Sequence, residues 1–89
     1  MTTERSVTVV NRNGLHARPA AELVKVASRF QSDITVSRED LEVNGKSIMG
    51  VMMLAAECGA ELLVRATGPD AEAAVQAIAE LVARKFGES

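Results

Sequence analysis

The stretch Gly14-Leu15-His16-Ala17-Arg18-Pro19 holds the only histidine of the 89-residue chain and places it in a loop that ends where a helix begins. A largely neutral imidazole is a usable nucleophile at cellular pH. The first turn of a helix carries unpaired N–H groups and a partial positive charge, which together favour an anion such as phosphate. Arg18 adds a permanent cation two residues away. If the ring attacked a phosphoryl group, the product would be a negative phosphohistidine held by the N–H groups around Ala17 and Arg18 and by the Arg18 guanidinium. Neither a metal nor a carboxylate base is required for that role. Residue types alone also allow a plainer reading, in which His16 is a polar loop residue that helps to cap the helix and Arg18 is a solvated charge.

A second stretch, Asn44-Gly45-Lys46-Ser47-Ile48-Met49-Gly50-Val51-Met52, bears on the same question. Ser47 precedes an apolar run from Ile48 to Cys58 that Gly59 ends, and it suits the N-cap of a helix. Its hydroxyl is also a candidate for phosphorylation, which would bring about two negative charges into any docking surface that includes Ile48. At about 100° per residue, Val51, Leu54, Ala55 and Cys58 share an arc that can face a sheet, and Ile48, Met49 and Met52 share an adjacent one. A helix outside a sheet need bury only one stripe, so the second arc predicts an exposed partner-docking patch, for which adaptable methionine is well suited. The competing reading uses methionine as filler in a ring-poor core, and Met53 fits either. Cys58 is expected to be a buried small hydrophobe rather than a reactive thiol.

Composition narrows the function classes. Ten basic and twelve acidic side chains give a formal net charge of −2, and there are two Phe, no Tyr and no Trp. A nucleic-acid binder would show a basic footprint or stacking rings. One cysteine cannot close an internal disulfide, and one histidine cannot by itself make a zinc site, so no cofactor or metal is expected. The N-terminus lacks a positively charged apolar leader, and no apolar run approaches the roughly 18 residues of a membrane span, which gives a cytoplasmic expectation with no membrane insertion. A single domain over residues 1–89, built mainly from aliphatic side chains, leaves little room for a deep catalytic cleft.

The elements that must position these residues can be traced by periodicity. Ser6–Val10 is a β-branched run that stops at the turn formers Asn11-Arg12-Asn13-Gly14. Pro19 marks a helix start, and Ala20, Leu23, Val24, Ala27 and Phe30 recur at helical spacing. Ile34 and Val36 alternate with polar residues, Arg38-Glu39-Asp40 turns the chain, and Leu41 and Val43 continue the alternation as a hairpin. The helix after Ser47 follows, then a strand over Glu61–Thr67 that buries Leu62, Val64 and Ala66. Asp70 is the expected cap of a last helix whose stripe is Ala74, Val75, Ile78, Leu81 and Val82. Glu80 and Arg84 make a possible i,i+4 pair worth about 0.3 kcal/mol. The order β-α-β-β-α-β-α predicts an α+β fold with a sheet on one side and helices on the other.

The histidine motif and the Ser47 motif together make the chain resemble the HPr family, the histidine-containing phosphocarriers of the bacterial phosphoenolpyruvate-dependent sugar phosphotransferase system. The resemblance runs over nearly the whole sequence. It implies an open-faced β-sandwich, a four-stranded antiparallel sheet with three helices on one face. It also implies phosphorylation of His16 on Nδ1 by phospho-enzyme I, stabilisation by Arg18, and transfer to sugar-specific enzyme IIA domains. By the same resemblance Ser47 matches a regulatory serine modified by HPr kinase/phosphorylase, and Ile48, Met49 and Met52 match the partner-docking helix. Such a chain is a stoichiometric carrier, not a turnover enzyme, and family precedent makes it a monomer. Two other roles share these motifs. One is the nitrogen-related paralogue; the other is a regulation-only module that binds partners through the Met-rich helix and needs no phosphohistidine. The retention of both His16 and Arg18 separates a carrier from that last role.

Overall fold

A computed structural model describes residues 1–88. Four strands, β1 (Thr2–Thr8), β2 (Asp33–Arg38), β3 (Leu41–Asn44) and β4 (Glu61–Thr67), form one sheet in the order β1-β4-β2-β3, antiparallel throughout. Three helices, α1 (Ala17–Ala27), α2 (Ile48–Met53) and α3 (Ala71–Ala83), complete the expected β-α-β-β-α-β-α order. Val7, Ile34, Val36, Val43, Leu62, Val64 and Ala66 point from the sheet into one core with Leu23, Val51, Ile78 and Leu81 of the helices. The other sheet face is polar, with Arg65 paired to Glu4 and, at 3.6 Å, to Glu42. No helix among the described residues is long and apolar enough to cross a membrane.

Strand β1 begins four residues earlier than the β-branched run suggests. Its pairing with β4 extends from Thr2 opposite Thr67 to Thr8 opposite Glu61. Only Val7 of that strand is buried, because the open sheet face accepts the polar residues that blur the alternation. Helix α1 begins at Ala17, so Pro19 occupies its third position, where the missing N–H has no helical partner to lose. Phe30 lies beyond its end. The β2–β3 turn is two residues, Glu39-Asp40, with Glu39 at φ 54°, so Arg38 belongs to the strand and Leu41 is exposed rather than buried.

The largest correction concerns α2, which stops at Met53 instead of continuing to Cys58. Ala55 takes φ 49°, which ends the helix without a glycine. The Arg38 guanidinium donates to the carbonyls of Leu54 (3.2 Å) and Ala55 (2.9 Å), taking up acceptors at the end of the helix, and pairs with Glu57. Ala55 and Cys58 are consequently exposed, while Val51, Leu54 and Ala56 are buried. In α3 the expected stripe is buried. Asp70 stands at its N-cap, but its carboxylate instead accepts from the backbone N–H groups of Gln31 and Ser32 and from the Ser32 hydroxyl. Glu80 accepts a hydrogen bond from Gln76 rather than pairing with Arg84.

Candidate functional site

The loop between β1 and α1 is fixed from below. Gly14 has φ 68°, and a Cβ built there would lie 2.4 Å from the Ala56 carbonyl oxygen. That close approach lets Leu15 N–H donate to the same oxygen at 2.8 Å, which joins the loop to the segment following α2. Leu15 is buried at 5% exposure, so the next residue, His16, is turned outward with its side chain 43% exposed. His16 is the N-cap of α1, yet its ring makes no capping bond to its own helix. Ala20 N–H takes the His16 carbonyl, the first bond of α1. The N–H groups of Ala17 and Arg18 have no partner among the described residues, and Pro19 has none to offer.

Arg12, Asn13, His16, Arg18, Gly87 and Glu88 line an open depression of about 420 Å³ over the helix start. Arg12 and Arg18 are exposed and make no ion pair with any described residue. The depression therefore has two unpaired guanidinium groups and a solvent-facing imidazole on its lining, at a helix start whose first N–H groups are free, a combination of charge and donors that favours a small anion. No cluster of three or more potential metal ligands occurs among the described residues.

Three contributors lie outside the sequence motif. The Nε2 atom of His16 is 3.2 Å from both carboxylate oxygens of Glu88. The Nδ2 group of Asn11, which is fully buried, donates to the Gly14 carbonyl at 2.8 Å and to Glu88 Oε1 at 3.1 Å. Glu88 is brought back by a 3-10 turn over Lys85–Gly87, in which Lys85, Phe86 and Gly87 have φ of 60°, 55° and 81°. A left-handed conformation costs a non-glycine residue roughly 1–2 kcal/mol. Burial of Phe86, which is 5% exposed, offsets that by an amount on the order of 1.5–3 kcal/mol. Arg12, the third contributor, had only its neighbourhood to His16 as a signal, and Glu88 lies 72 residues from His16 in sequence.

The second candidate region is separate from the depression and lies at the start of α2, which contacts α1. Ser47 is half-buried and caps α2, its Oγ accepting from Gly50 N–H at 3.1 Å. Lys46 is anchored by its Nζ to the Phe30 carbonyl at 2.8 Å. Ile48, Met49 and Met52 are exposed, and Met53, at 65% exposure, joins them. These four side chains form an apolar patch on a helix that contacts α1.

The structure thus offers an exposed imidazole at the start of α1 and, on the neighbouring helix, an exposed apolar face. A family model described as "PTS HPr component phosphorylation site" matches residues 3–84. The chain belongs to the HPr family. It is 54% identical to the phosphocarrier protein HPr of Treponema pallidum over 84 residues, which cover 94% of this chain and 96% of that one. It is 51% identical to the HPr of Xylella fastidiosa (strain Temecula1) over 85 residues, 96% of each chain. Its fold superposes on the crystal structure of HPr-C-His from Thermoanaerobacter tengcongensis with a TM-score of 0.94 at 44% identity, covering 98% of both chains. The open-faced sandwich implied by the resemblance is thus the fold of this chain, and the phosphotransferase system is the setting of its family.

Proposed function

We propose that this member of the HPr family is a cytoplasmic, stoichiometric carrier that takes a phosphoryl group on Nδ1 of His16 from phospho-enzyme I and passes it to enzyme IIA domains. The observation that carries this reading is the exposed His16 ring at the start of α1, beside the unpartnered N–H groups of Ala17 and Arg18 and the unpaired Arg18 guanidinium. Those donors stabilise the phosphate through a few solvent-facing hydrogen bonds. A phosphohistidine so held stays accessible to a second protein, as a carrier requires. The patch of Ile48, Met49 and Met52 is the docking face shared by successive partners, and its apolar character excludes water from the transfer.

Ser47 is the regulatory site, a substrate for HPr kinase/phosphorylase. Its position at the head of the docking helix supports this, since a phosphate there charges the rim of the patch. Incubation with enzyme I and phosphoenolpyruvate is expected to yield one acid-labile phosphate per chain, and His16→Ala is expected to abolish it. Equal labelling of the variant would overturn the reading.

A further inference from the structure

We propose that Glu88, held in place by the buried carboxamide of Asn11, keeps the ring proton of His16 on Nε2, and so directs phosphate to Nδ1 and sets the pH range over which it is passed on. The inference rests on the carrier reading above. A carboxylate only accepts hydrogen bonds, so a His16 Nε2 placed 3.2 Å from both Glu88 oxygens must carry the proton. The lone pair is then left on Nδ1. Asn11 explains why the carboxylate is there. Both partners of its side-chain amide, the Gly14 carbonyl and Glu88, are acceptors, so the NH2 end must face them. Its Oδ1 is in turn the one buried side-chain polar atom without a partner among the described residues. A fully buried Asn with an unpaired oxygen is a poor core residue. The work it performs is to hold the loop carbonyl and the returning chain end together.

The transfer balances around that proton. Nδ1 donates its lone pair to phosphorus while the donor's bond to phosphorus breaks and the electron pair leaves with the donor. The ring becomes a phosphoimidazolium whose Nε2–H remains bonded to Glu88. When an acceptor nucleophile attacks phosphorus, the Nδ1–P electron pair returns to the ring, and neutral imidazole with its Nε2–H departs. Loss of that proton in the interval would make the leaving group an imidazolate, which leaves far less readily. The charged groups facing the ring are Glu88 from the chain end, Arg12 from the loop and Arg18 from α1. Glu88 is the only carboxylate among the residues that line the depression, and so the only one placed to accept the Nε2–H of the phosphorylated ring.

Potassium phosphoramidate, a chemical phosphoryl donor, tests this on the full chain without any partner protein. Phosphorus and nitrogen NMR identify the modified ring nitrogen, and hydrolysis is followed from pH 5 to 9. The native chain is expected to carry phosphate on Nδ1. Glu88→Gln is expected to move the midpoint of the hydrolysis profile down by about one pH unit, with up to about tenfold slower hydrolysis near neutrality. Asn11→Ala is expected to shift it in the same direction by less, and Glu80→Gln, on the exposed side of α3, not at all. Superimposable profiles for the native chain and Glu88→Gln overturn the proposal, even if Asn11→Ala fails to fold. If phosphoramidate labels His16 with the expected shift but phospho-enzyme I does not, the carrier reading fails and the role of Glu88 stands.

Discussion

Gly14 is where the histidine loop is most sensitive to a single methyl group. In Gly14→Ala the new Cβ would lie 2.4 Å from the Ala56 carbonyl oxygen and 2.9 Å from the Glu57 Cα, both backbone atoms. Neither neighbour can swing aside as a flexible side chain would. Holding alanine at φ 68° adds roughly 1–2 kcal/mol of backbone strain. Restoring ordinary contact requires the two segments to part by about 1 Å, which breaks the 2.8 Å bond from Leu15 N–H to Ala56 and costs roughly 1–3 kcal/mol for an unpaired buried donor and acceptor. The total is about 3 kcal/mol, or a fall in Tm on the order of 12–24 °C for a chain of this size. Gly59→Ala separates the two contributions, because Gly59 has φ 97° but a Cβ added there would meet nothing within 4 Å. Strain alone should lower its stability by about 1–2 kcal/mol. Thermal melts followed by circular dichroism at 222 nm compare the pair. If Gly14→Ala loses no more than Gly59→Ala, the clamp between the histidine loop and the segment after α2 is not what holds the loop.

Ser47→Asp retains a good N-cap residue and should leave the melt nearly unchanged, yet slow phosphorylation by enzyme I on the order of tenfold; unchanged kinetics would remove Ser47 from the docking rim. Met49→Lys alters a side chain that is 77% exposed, so stability should stay within about 0.5 kcal/mol while transfer to an enzyme IIA domain falls severalfold in a stopped-flow assay. The hydrogen bonds from the Ser32 hydroxyl, then from the Gln31 and Ser32 backbone, lower the Asp70 carboxyl below its ordinary value of 3.8. A lowered folded value favours the native state above the unfolded value, and the benefit disappears as pH falls through the folded one. Asp70→Asn should therefore lose stability at pH 7 but little at pH 2 in urea melts, and an equal loss at both would refute the assignment.

Strand β4 and the stripe of α3 were legible because both are amphipathic over their full length, with a period that leaves one assignment. The first half of β1 was not, since Thr2, Glu4 and Ser6 face solvent and the inward side is marked mainly by Val7. The end of α2 failed for a different reason. Ala55-Ala56 continues a helical pattern locally, but Ala55 turns left-handed and the carbonyls at that end are taken up by Arg38, a residue 17 positions before Ala55 on β2. Propensity carries no trace of such a contact. The site divides along the same line. His16, Ala17 and Arg18 are neighbours in sequence, so a short motif holds them, whereas Glu88 and Asn11 enter only after the sheet and α3 have been assembled.

That division bears on how the carrier works. In the proposed role, the residues readable from the motif are those that would make an anion welcome, the helix start and the guanidinium, and they would serve for binding phosphate alone. Binding alone does not make a carrier, because a phosphate held too well is not passed on. What tunes release must act on the ring's leaving ability, and the group in position to do so is the carboxylate on Nε2. It arrives on the last turn of the chain, anchored by the burial of Phe86 and by Asn11. Phe86→Ala should therefore have two separable effects: a stability loss of roughly 3–5 kcal/mol from the emptied core position, and, in whatever fraction remains folded, the same acid-ward hydrolysis profile as Glu88→Gln. A Phe86→Leu chain, which keeps most of the core volume, should retain the native profile. If it instead shifts as fully as Phe86→Ala while melting near the native temperature, the anchoring argument is wrong and Glu88 reaches His16 without it.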